Sequence, residues 1–373
     1  MPDNLVKRRG ASRLAVPREI GSGQAELVPD LSRPGSWLLF IDGVPQSQVD
    51  LEDPGYLEFE YVRRIGHVID LAFPEGEPVR ALHLGGGALT LPRYIAHTRP
   101  GSSQLVAEID AELTTLVREH LPLSGGKRSR IRIRGGDARE VLESVRPGSY
   151  DVIVSDVFAG ARTPFHLTTA ECAQAAARAL RPGGMYAANV ADGPPLKAVR
   201  SAVATIRSVF KETCVVAEPA VVRGRRLGNF VLVAAAGSLP ANGLRRRAAG
   251  DPFPAGVING SELARFAGSA PVITDAAGPD ADRMRLSSGG TTIRHAWGAP
   301  APHPPGPRTP DACPMGKRAY RTRSQQPHNV PGSRIVYRLG RLPWLHGLAA
   351  LWLVSRPVRD ARTAALVGRG HVV

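Results

Sequence analysis

The sequence has little cysteine, and this shortage excludes two common kinds of site. Its 373 residues include only 3 cysteines, which stand far apart and form neither a CxxC pair nor a cluster with histidine. A disulfide framework and a zinc site are therefore not supported. We expect reduced thiols, no metal and a cytoplasmic location.

Long apolar runs are missing as well. The N-terminal stretch MPDNLVKRRGASRLAV has basic residues but no apolar run of about seven after them, so it lacks the pattern of a secretory signal. The longest apolar run near the C-terminus, LHGLAALWLV at residues 345–354, is too short to cross a bilayer. We therefore expect no membrane partner.

Acidic residues are scarce in one region only. Residues 276–373 contain 15 Lys and Arg but 4 Asp and Glu, so this region supplies most of the formal net charge of +15. The same residues lose hydrophobic periodicity and are rich in proline, glycine and arginine, which predicts a disordered basic tail. Arginines without regularly interleaved aromatic residues are weak evidence for nucleic-acid binding, so nucleic acid is expected as a partner only through this tail, if at all. An extension translated in a shifted reading frame is the alternative explanation.

The preceding residues predict an α/β protein with a Rossmann-like sheet. After a flexible N-terminus, residues 1–24, the segment SWLLFIDGVPQSQ has an Asp-Gly turn between two extended stretches and marks an N-terminal β-strand domain over residues 25–75. Strands and helices alternate over residues 76–240, which predicts a parallel sheet covered by helices on both faces, with an antiparallel strand at its edge. Residues 241–275 form a closing segment in which ELARF is the one clear helical fragment.

Small and acidic residues follow consecutive strands of the predicted sheet. The turn after the first strand, residues 85–87, is entirely glycine, and an acid ends each of the next three strands: Glu108, Asp137 and Asp156. Because ligands of a doubly wound sheet bind outside the carboxyl ends of its strands, these residues should surround one mouth. Glycines let backbone N–H groups approach a ligand, and an acid about twenty residues later has the spacing that holds a ribose. The alternative is that each acid only caps the following helix.

Six motifs in order carry a resemblance to a known family: LFIDGVPQS, EFEY, LGGGALTLPRY, VAEID, GDARE and YDVIVSD. They resemble the spermidine synthase family of polyamine aminopropyltransferases over roughly residues 25–275. The resemblance implies the class I methyltransferase fold, with decarboxylated S-adenosylmethionine or S-adenosylmethionine as co-substrate and no metal. It also implies a small amine or polyamine as acceptor and a homo-oligomer formed through the N-terminal strands.

The resemblance further implies roles for individual residues. Tyr61 and Asp156 are the catalytic candidates, and Asp156 matches the first aspartate of the family's active-site motif. Glu108 matches the acid that holds the ribose, while Asp137 and Ala138 flank the adenine. The complete set expected to bind the co-substrate is Gln46, Gly85, Gly86, Gly87, Glu108, Asp137 and Ala138.

The positions that hold the amine in the family differ in this sequence. Ala88 replaces the acid of the glycine turn, and Ala159 and Gly160 replace the second aspartate of the active-site motif and its proline. Val62 and Arg63 follow Tyr61 where the family has a hydrogen-bonding residue and an acid. A diammonium substrate needs carboxylates around it, so these changes leave the acceptor open.

Nearby side chains leave two more questions open. Glu58 or Glu60 could supply the missing acid, and Arg63 could point away from the pocket. His166, on the loop after the fourth strand, is a candidate base, whereas His83 is expected to be a satisfied histidine inside the first strand.

Three functions follow as hypotheses. The first is a spermidine synthase-like transferase that moves an aminopropyl group to an amine. The second is an S-adenosylmethionine-dependent methyltransferase, because methyl transfer is the same displacement at a carbon next to sulfur. The third is a nucleoside-binding paralogue without catalysis.

Overall fold

The computed structural model describes residues 16–126, 129–160 and 162–278. Within these ranges the chain forms a small N-terminal β-sheet followed by a larger α/β domain. The tail predicted for residues 276–373 lies outside the described residues except at its start, and so do residues 1–15.

The N-terminal sheet has four antiparallel strands in sequence order. They are β1 (Val16–Ile20), β2 (Gly23–Pro29), β3 (Ser36–Ile41) and β4 (Val44–Asp50). The predicted hairpin joins β3 to β4 through Asp42 and Gly43, whose φ angles of 49° and 74° suit a two-residue hairpin turn. The sheet already begins at Val16, within the segment predicted to be flexible. The sequence of β1, VPREI, is that of an edge strand, and its proline and charged residues obscure the strand pattern.

The larger domain is built on a sheet of eight strands. They are β5 (Arg80–Leu84), β6 (Ser103–Glu108), β7 (Ile131–Gly135), β8 (Tyr150–Ser155), β9 (Leu180–Asp192), β10 (Glu212–Ala217), β11 (Gly228–Ala235) and β12 (Gly256–Asn259). Their order across the sheet is β12, β10, β11, β9, β8, β5, β6, β7. The strands from β5 to β9 pair in parallel, as the alternation of strands and helices predicts.

Antiparallel pairing reaches the edge of the sheet, as the sequence predicts, but the edge strand is β12, and a further antiparallel strand, β11, lies inside. β11 pairs with β9 on one side and β10 on the other and is antiparallel to both, while β12 forms the edge. Every residue of β11 is buried, as expected for an apolar strand with neighbours on both sides. The local pattern shows that β10 and β11 are consecutive strands, but the pairing of β11 with β9 joins residues distant in sequence and leaves no local signal.

Helices connect these strands and cover both faces of the sheet. They are α1 (Glu60–Ala72), α2 (Thr90–Thr98), α3 (Ala111–His120), α4 (Ala138–Ser144), α5 (Ala170–Ala179), α6 (Lys197–Val209), α7 (Pro219–Val222), α8 (Ala241–Ala249) and α9 (Gly260–Ala267). The closing segment therefore contains α8 and β12 as well as the predicted helix at ELARF. The sequence of α8, ANGLRRRAA, buries only Leu244 and Ala248, so its apolar face is too narrow to stand out.

Two apolar cores lie on the two faces of the main sheet. On one face, Ile65, Val68 and Ile69 of α1 pack with residues of β9, β11 and α8. On the other, helices α4, α5, α6 and α9 pack over the sheet, and the alanine-rich sequence of α5 contributes several buried alanines to this core. In the described part of the chain, no helix has both the length and the apolar character that a membrane span requires.

The N-terminal sheet is fixed to the larger domain by apolar packing and by one carboxylate. Leu27 of the sheet packs with Leu116 of α3. Asp110 caps α3 by accepting a hydrogen bond from the Leu113 N–H at 2.9 Å. The other oxygen of Asp110 accepts hydrogen bonds from the N–H and the hydroxyl of Ser22, both at 2.8 Å. Burial raises the pKa of Asp110, but these hydrogen bonds outweigh it and hold the pKa below its ordinary value.

We expect Asp110→Ala to lower the free energy of unfolding by about 2–4 kcal/mol, since it removes a helix cap and the bonds to Ser22. Because the pKa of Asp110 is lowered in the folded state, its contribution is present at neutral pH and is lost as the pH falls below the ordinary carboxyl range. Urea denaturation at neutral and acidic pH measures both effects. A double-mutant cycle with Ser22→Ala should be non-additive; simple additivity would contradict the proposed link.

Candidate active site

The tips of four parallel strands meet at one edge of the main sheet. The N–H of Gly85, after β5, donates to the carbonyl of Ala107 in β6 at 2.9 Å. The N–H of Asp156, after β8, donates to the carbonyl of Leu84 in β5 at 2.9 Å. The ladder thus continues to the last residue of each strand, and the predicted site residues lie around a common mouth.

The glycine turn fits closely between neighbouring strands. Gly85 has a φ of +91°, and a Cβ there would overlap the backbone carbonyl of Asp156. Gly87 has a φ of +49°, and a Cβ there would contact the hydroxyl of Ser47. Both positions therefore require glycine for conformation and for space. The Ser47 hydroxyl also accepts a hydrogen bond from the N–H of Ala88 at 3.2 Å, so β4 of the N-terminal sheet reaches the turn directly.

Glu108 lies beside the glycine turn, as the spacing predicts. Its two carboxylate oxygens accept hydrogen bonds from the N–H groups of Gly86, at 2.9 Å, and Asp110, at 3.0 Å. These bonds fix the carboxylate and leave lone pairs on both oxygens for further donors, such as ribose hydroxyls. The next residue, Ile109, has a side chain that is 71% exposed, which places an apolar surface beside the carboxylate.

Asp137 caps α4 and also bonds the loop that follows β8. One of its oxygens accepts from the N–H groups of Arg139 and Glu140, so the helix-cap interpretation is correct for this residue. Its other oxygen lies 2.8 Å from Nε2 of His166. Burial raises the pKa of Asp137, but the bonds from His166, Glu140 and Arg139 lower it overall. Ala138 is buried as the first residue of α4.

Asp156 forms the centre of a hydrogen-bonded group on the α1 side of the mouth. Its carboxylate accepts a hydrogen bond from Nδ2 of Asn189, on β9, at 3.1 Å, and another from the phenol of Tyr61, on α1. Burial raises the pKa of Asp156, and the two hydrogen bonds offset part of that effect. Burial and the neighbouring Asp156 raise the pKa of Tyr61 well above its ordinary value, so the phenol stays protonated and remains a donor. The two predicted catalytic residues are therefore in direct contact.

His166 and Gln46 lie at the margins of this group. His166 bonds Asp137 and shares no bond with Asp156 or Tyr61 among the described contacts, so its position does not favour the role of a base at Asp156. Gln46 falls at a β-bulge in β4, next to the residue that contacts the glycine turn. His83 is buried and bonds Gln104 at 2.9 Å, as expected, and burial lowers its pKa to about 4.

The residues that replace the family's acids do not restore a carboxylate cluster. Ala88 is completely buried, and Arg63 turns away to bond Asp251 at 3.0 Å and the carbonyl of Leu57. Glu60 accepts a hydrogen bond from the amide of Asn229 at 2.8 Å. The remaining candidate is engaged as well: Glu58 accepts a hydrogen bond from Tyr56.

Asn189 is a site residue that the sequence interpretation missed. It is buried, bonds Asp156 through Nδ2, and its Oδ1 has no hydrogen-bond partner among the described residues. An unpaired buried amide oxygen is costly unless a ligand donates to it. The sequence did contain a sign of this residue's role: Asn189 is the one amide side chain, able both to donate and to accept hydrogen bonds, within the largely apolar strand sequence MYAANVA.

The order of the sheet and the groups at its strand tips define a transferase of the class I methyltransferase fold. Residues 58–234 match the family described as the spermine/spermidine synthase domain. The chain belongs to the spermidine synthase family. Within the described ranges, no cluster of three or more His, Cys, Asp or Glu side chains is arranged to hold a metal ion.

Two relatives show how far the similarity extends. The crystal structure of a probable spermidine synthase from Corynebacterium glutamicum shares 38% identity, and the match covers 70% of this chain and 96% of that one with a TM-score of 0.66. A polyamine aminopropyltransferase of Chromobacterium violaceum is 27% identical over 181 residues, which are 48% of this chain and 66% of that protein.

The fit of the glycine turn is testable by substitution. We expect Gly85→Ala to lower the free energy of unfolding by about 3 kcal/mol or more, since the new Cβ adds a backbone clash to the cost of a positive φ. Gly76→Ala is the matched control, because Gly76 has a φ of +81° but nothing within 4 Å of its Cβ position. Denaturant titration compares the two, and equal losses would contradict the close contact between Gly85 and Asp156.

Proposed function

We propose that this chain transfers an aminopropyl group from decarboxylated S-adenosylmethionine to an amine. The observation that carries the proposal is the joint arrangement of a glycine turn, an oriented Glu108 and a Tyr61–Asp156 pair around one mouth. Family membership supports it, because the family consists of aminopropyltransferases.

The nucleoside half of the mouth fits the co-substrate. The turn at residues 85–87 has no side chains to obstruct a ligand, Glu108 retains acceptor capacity for ribose hydroxyls, and the exposed Ile109 offers an apolar surface to a base. Asp137 and Ala138 lie at the end of the neighbouring strand, where they would flank the adenine.

The reacting half of the mouth supplies a proton acceptor. When bound, the co-substrate provides an electrophilic carbon next to a sulfonium. The attacking amine nitrogen forms the new C–N bond, the C–S bond breaks with its electron pair on sulfur to release methylthioadenosine, and the surplus proton leaves the nitrogen. In this proposal Asp156 takes this proton, and its contacts with Tyr61 and Asn189, which orient the carboxylate, support that role. The unpaired Asn189 oxygen would accept a hydrogen bond from the amine.

The nucleoside assignment is tested by Glu108→Ala. We expect this variant to lose detectable binding of decarboxylated S-adenosylmethionine and of methylthioadenosine, since it removes the ribose acceptor. Thermal shift and calorimetry measure the loss, because a ligand of the native state raises its apparent stability. Glu112→Ala, an exposed acid in the first turn of α3, is the control and should bind normally. Unchanged affinity in Glu108→Ala would refute the assignment. Tighter binding of intact S-adenosylmethionine would favour methyl transfer instead.

The proton-transfer role is tested by Asp156→Asn. We expect methylthioadenosine formation to fall by about 100-fold or more, with nucleoside affinity retained. In the wild type, burial raises the pKa of Asp156, so the reactive carboxylate is lost at a higher pH than an ordinary carboxyl group and activity falls toward acid pH. This dependence should disappear in the variant. Asp53→Asn, at an exposed ion pair of the N-terminal domain, serves as the control. Nucleoside binding without turnover on any amine in the wild type would show a non-catalytic paralogue.

Three expectations from the sequence accompany this proposal. The cytoplasmic location, the homo-oligomer formed through the N-terminal strands and the domain boundaries at residues 76 and 241 stay predictions. Sedimentation of the purified chain measures the oligomeric state.

A further inference from the structure

Arg64 on α1 is a buried cation with little to bind. Its side chain belongs to a residue that is 3% exposed, and its one hydrogen bond among the described residues joins Nη1 to the carbonyl of Asn229 at 3.4 Å. Its Nε is buried without a partner in the same part of the chain. A guanidinium has five N–H donors, so most of its capacity is unused. Burial lowers the pKa of Arg64, and Glu60, Asp251 and Glu218 only partly offset this effect.

The carboxylates near Arg64 are bound to other groups. Asp251 bonds Arg63 and His67, and Glu60 bonds the amide of Asn229. The third, Glu218, pairs with Arg226. Among the described ion pairs, none includes Arg64. A buried charge without a close counterion is costly, and an anionic ligand would remove that cost.

The fold places Arg64 at the reacting half of the mouth. Arg64 follows Tyr61 by one helical turn, so both side chains emerge from the same side of α1. Asn229, which bonds Arg64, pairs with Ala191, two residues beyond Asn189 on β9. Residues two apart on a strand share a face, so Asn189 and Asn229 both lie on the face that α1 covers.

Both groups are linked to the same pair of strands. Asn189 pairs directly with Val231 across the sheet, so Asn229 is its diagonal neighbour. Asn189 bonds Asp156, and the backbone carbonyl of Asn229 bonds Arg64. A proton acceptor and a cation without an ion-pair partner among the described residues are therefore linked to neighbouring residues on one face of the sheet.

We propose that Arg64 binds a carboxylate of the acceptor, which makes the acceptor an ω-amino carboxylate rather than a diamine. This inference rests on the proposed aminopropyl transfer and names its substrate class. The amine end lies at Asp156 and Asn189, where it attacks as described above, and the carboxylate end pairs with the guanidinium. The absence of an acid at Ala88, Arg63 and Ala159 fits this assignment, because a second ammonium group would find no carboxylate at those positions.

The test compares two acceptors of equal length with the full-length protein. Putrescine has an ammonium at each end of four carbons, whereas 4-aminobutyrate has one ammonium and one carboxylate. With decarboxylated S-adenosylmethionine as donor, we expect kcat/KM for 4-aminobutyrate to exceed that for putrescine by on the order of 100-fold, measured as methylthioadenosine release and by mass spectrometry of the product. A preference for putrescine in the wild type would overturn the proposal.

Variants separate recognition of the carboxylate from folding. Arg64→Met should abolish the preference mainly through KM for 4-aminobutyrate, while Arg64→Lys should keep part of it because the charge remains. The matched control is Arg247→Met, which removes a cation of α8 that pairs with Asp70 of α1. This variant should keep the wild-type preference. Thermal denaturation of each variant reports its folding. If folded Arg64→Met retained the preference, Arg64 would be a structural residue and the proposal would fail.

A binding experiment distinguishes failure of this proposal from failure of the proposed aminopropyl transfer. Calorimetry of both acceptors with the methylthioadenosine complex measures recognition without turnover. Tighter binding of 4-aminobutyrate, lost in Arg64→Met, supports the carboxylate site even if no aminopropyl transfer occurs. Tighter binding of putrescine, or binding of neither acceptor, overturns it.

Discussion

The close backbone contact between Gly85 and the tip of β8 is the constraint on which the site depends. A side chain at position 85 would occupy the place of the Asp156 carbonyl, so the turn after β5 can lie against β8 only if it is glycine. That contact brings the Asp156 carboxylate beside the nucleoside turn, although 71 positions separate the two residues in sequence. The glycine turn and the Asp156 carboxylate are thus brought together by backbone packing.

The two halves of the mouth differ in their electrostatics. Beside the glycine turn, Glu108 and Asp137 are held by backbone N–H groups and have fixed orientations. On the other side of the mouth, burial raises the pKa of Asp156, and the neighbouring charges are mostly arginine and carboxylate pairs. The first half keeps the residues of the family's motifs. The second half lacks the family's acids at Ala88, Arg63 and Ala159.

The sequence was sufficient to predict the strand tips but not the surroundings of each side chain. Glu108, Asp137 and Asp156 were predictable because every parallel strand ends at the same edge, so the position of a residue after its strand fixes its location. The direction of the Arg63 side chain could not be predicted, because its partner, Asp251, lies far away in the sequence. Arg64 is a clear case of the same limit. An arginine on an amphipathic helix normally faces solvent, and only the packing of α1 against β11 shows that it is buried.

Tertiary pairing also explains the details that the predicted fold left out. β11 lies inside the sheet because it pairs with β9. The helix α8 is stabilised by its packing against α1, although its own apolar face is narrow. Both elements are stabilised by residues that are remote in the chain. A periodic pattern reports which residues are buried in an element, but not which neighbour buries them.

The Ser47 hydroxyl, which bonds the N–H of Ala88, joins the N-terminal sheet to the nucleoside turn. A second hydrogen bond, from the Thr90 hydroxyl to the carbonyl of Gln48, reinforces this connection two residues further along the chain. By thermodynamic linkage, a ligand that stabilises the turn also stabilises the contact between the turn and the N-terminal sheet. Conversely, an interaction that stabilises this contact raises the affinity for the ligand by the same factor. The position of the N-terminal sheet and the conformation of the glycine turn are therefore coupled through these two hydrogen bonds.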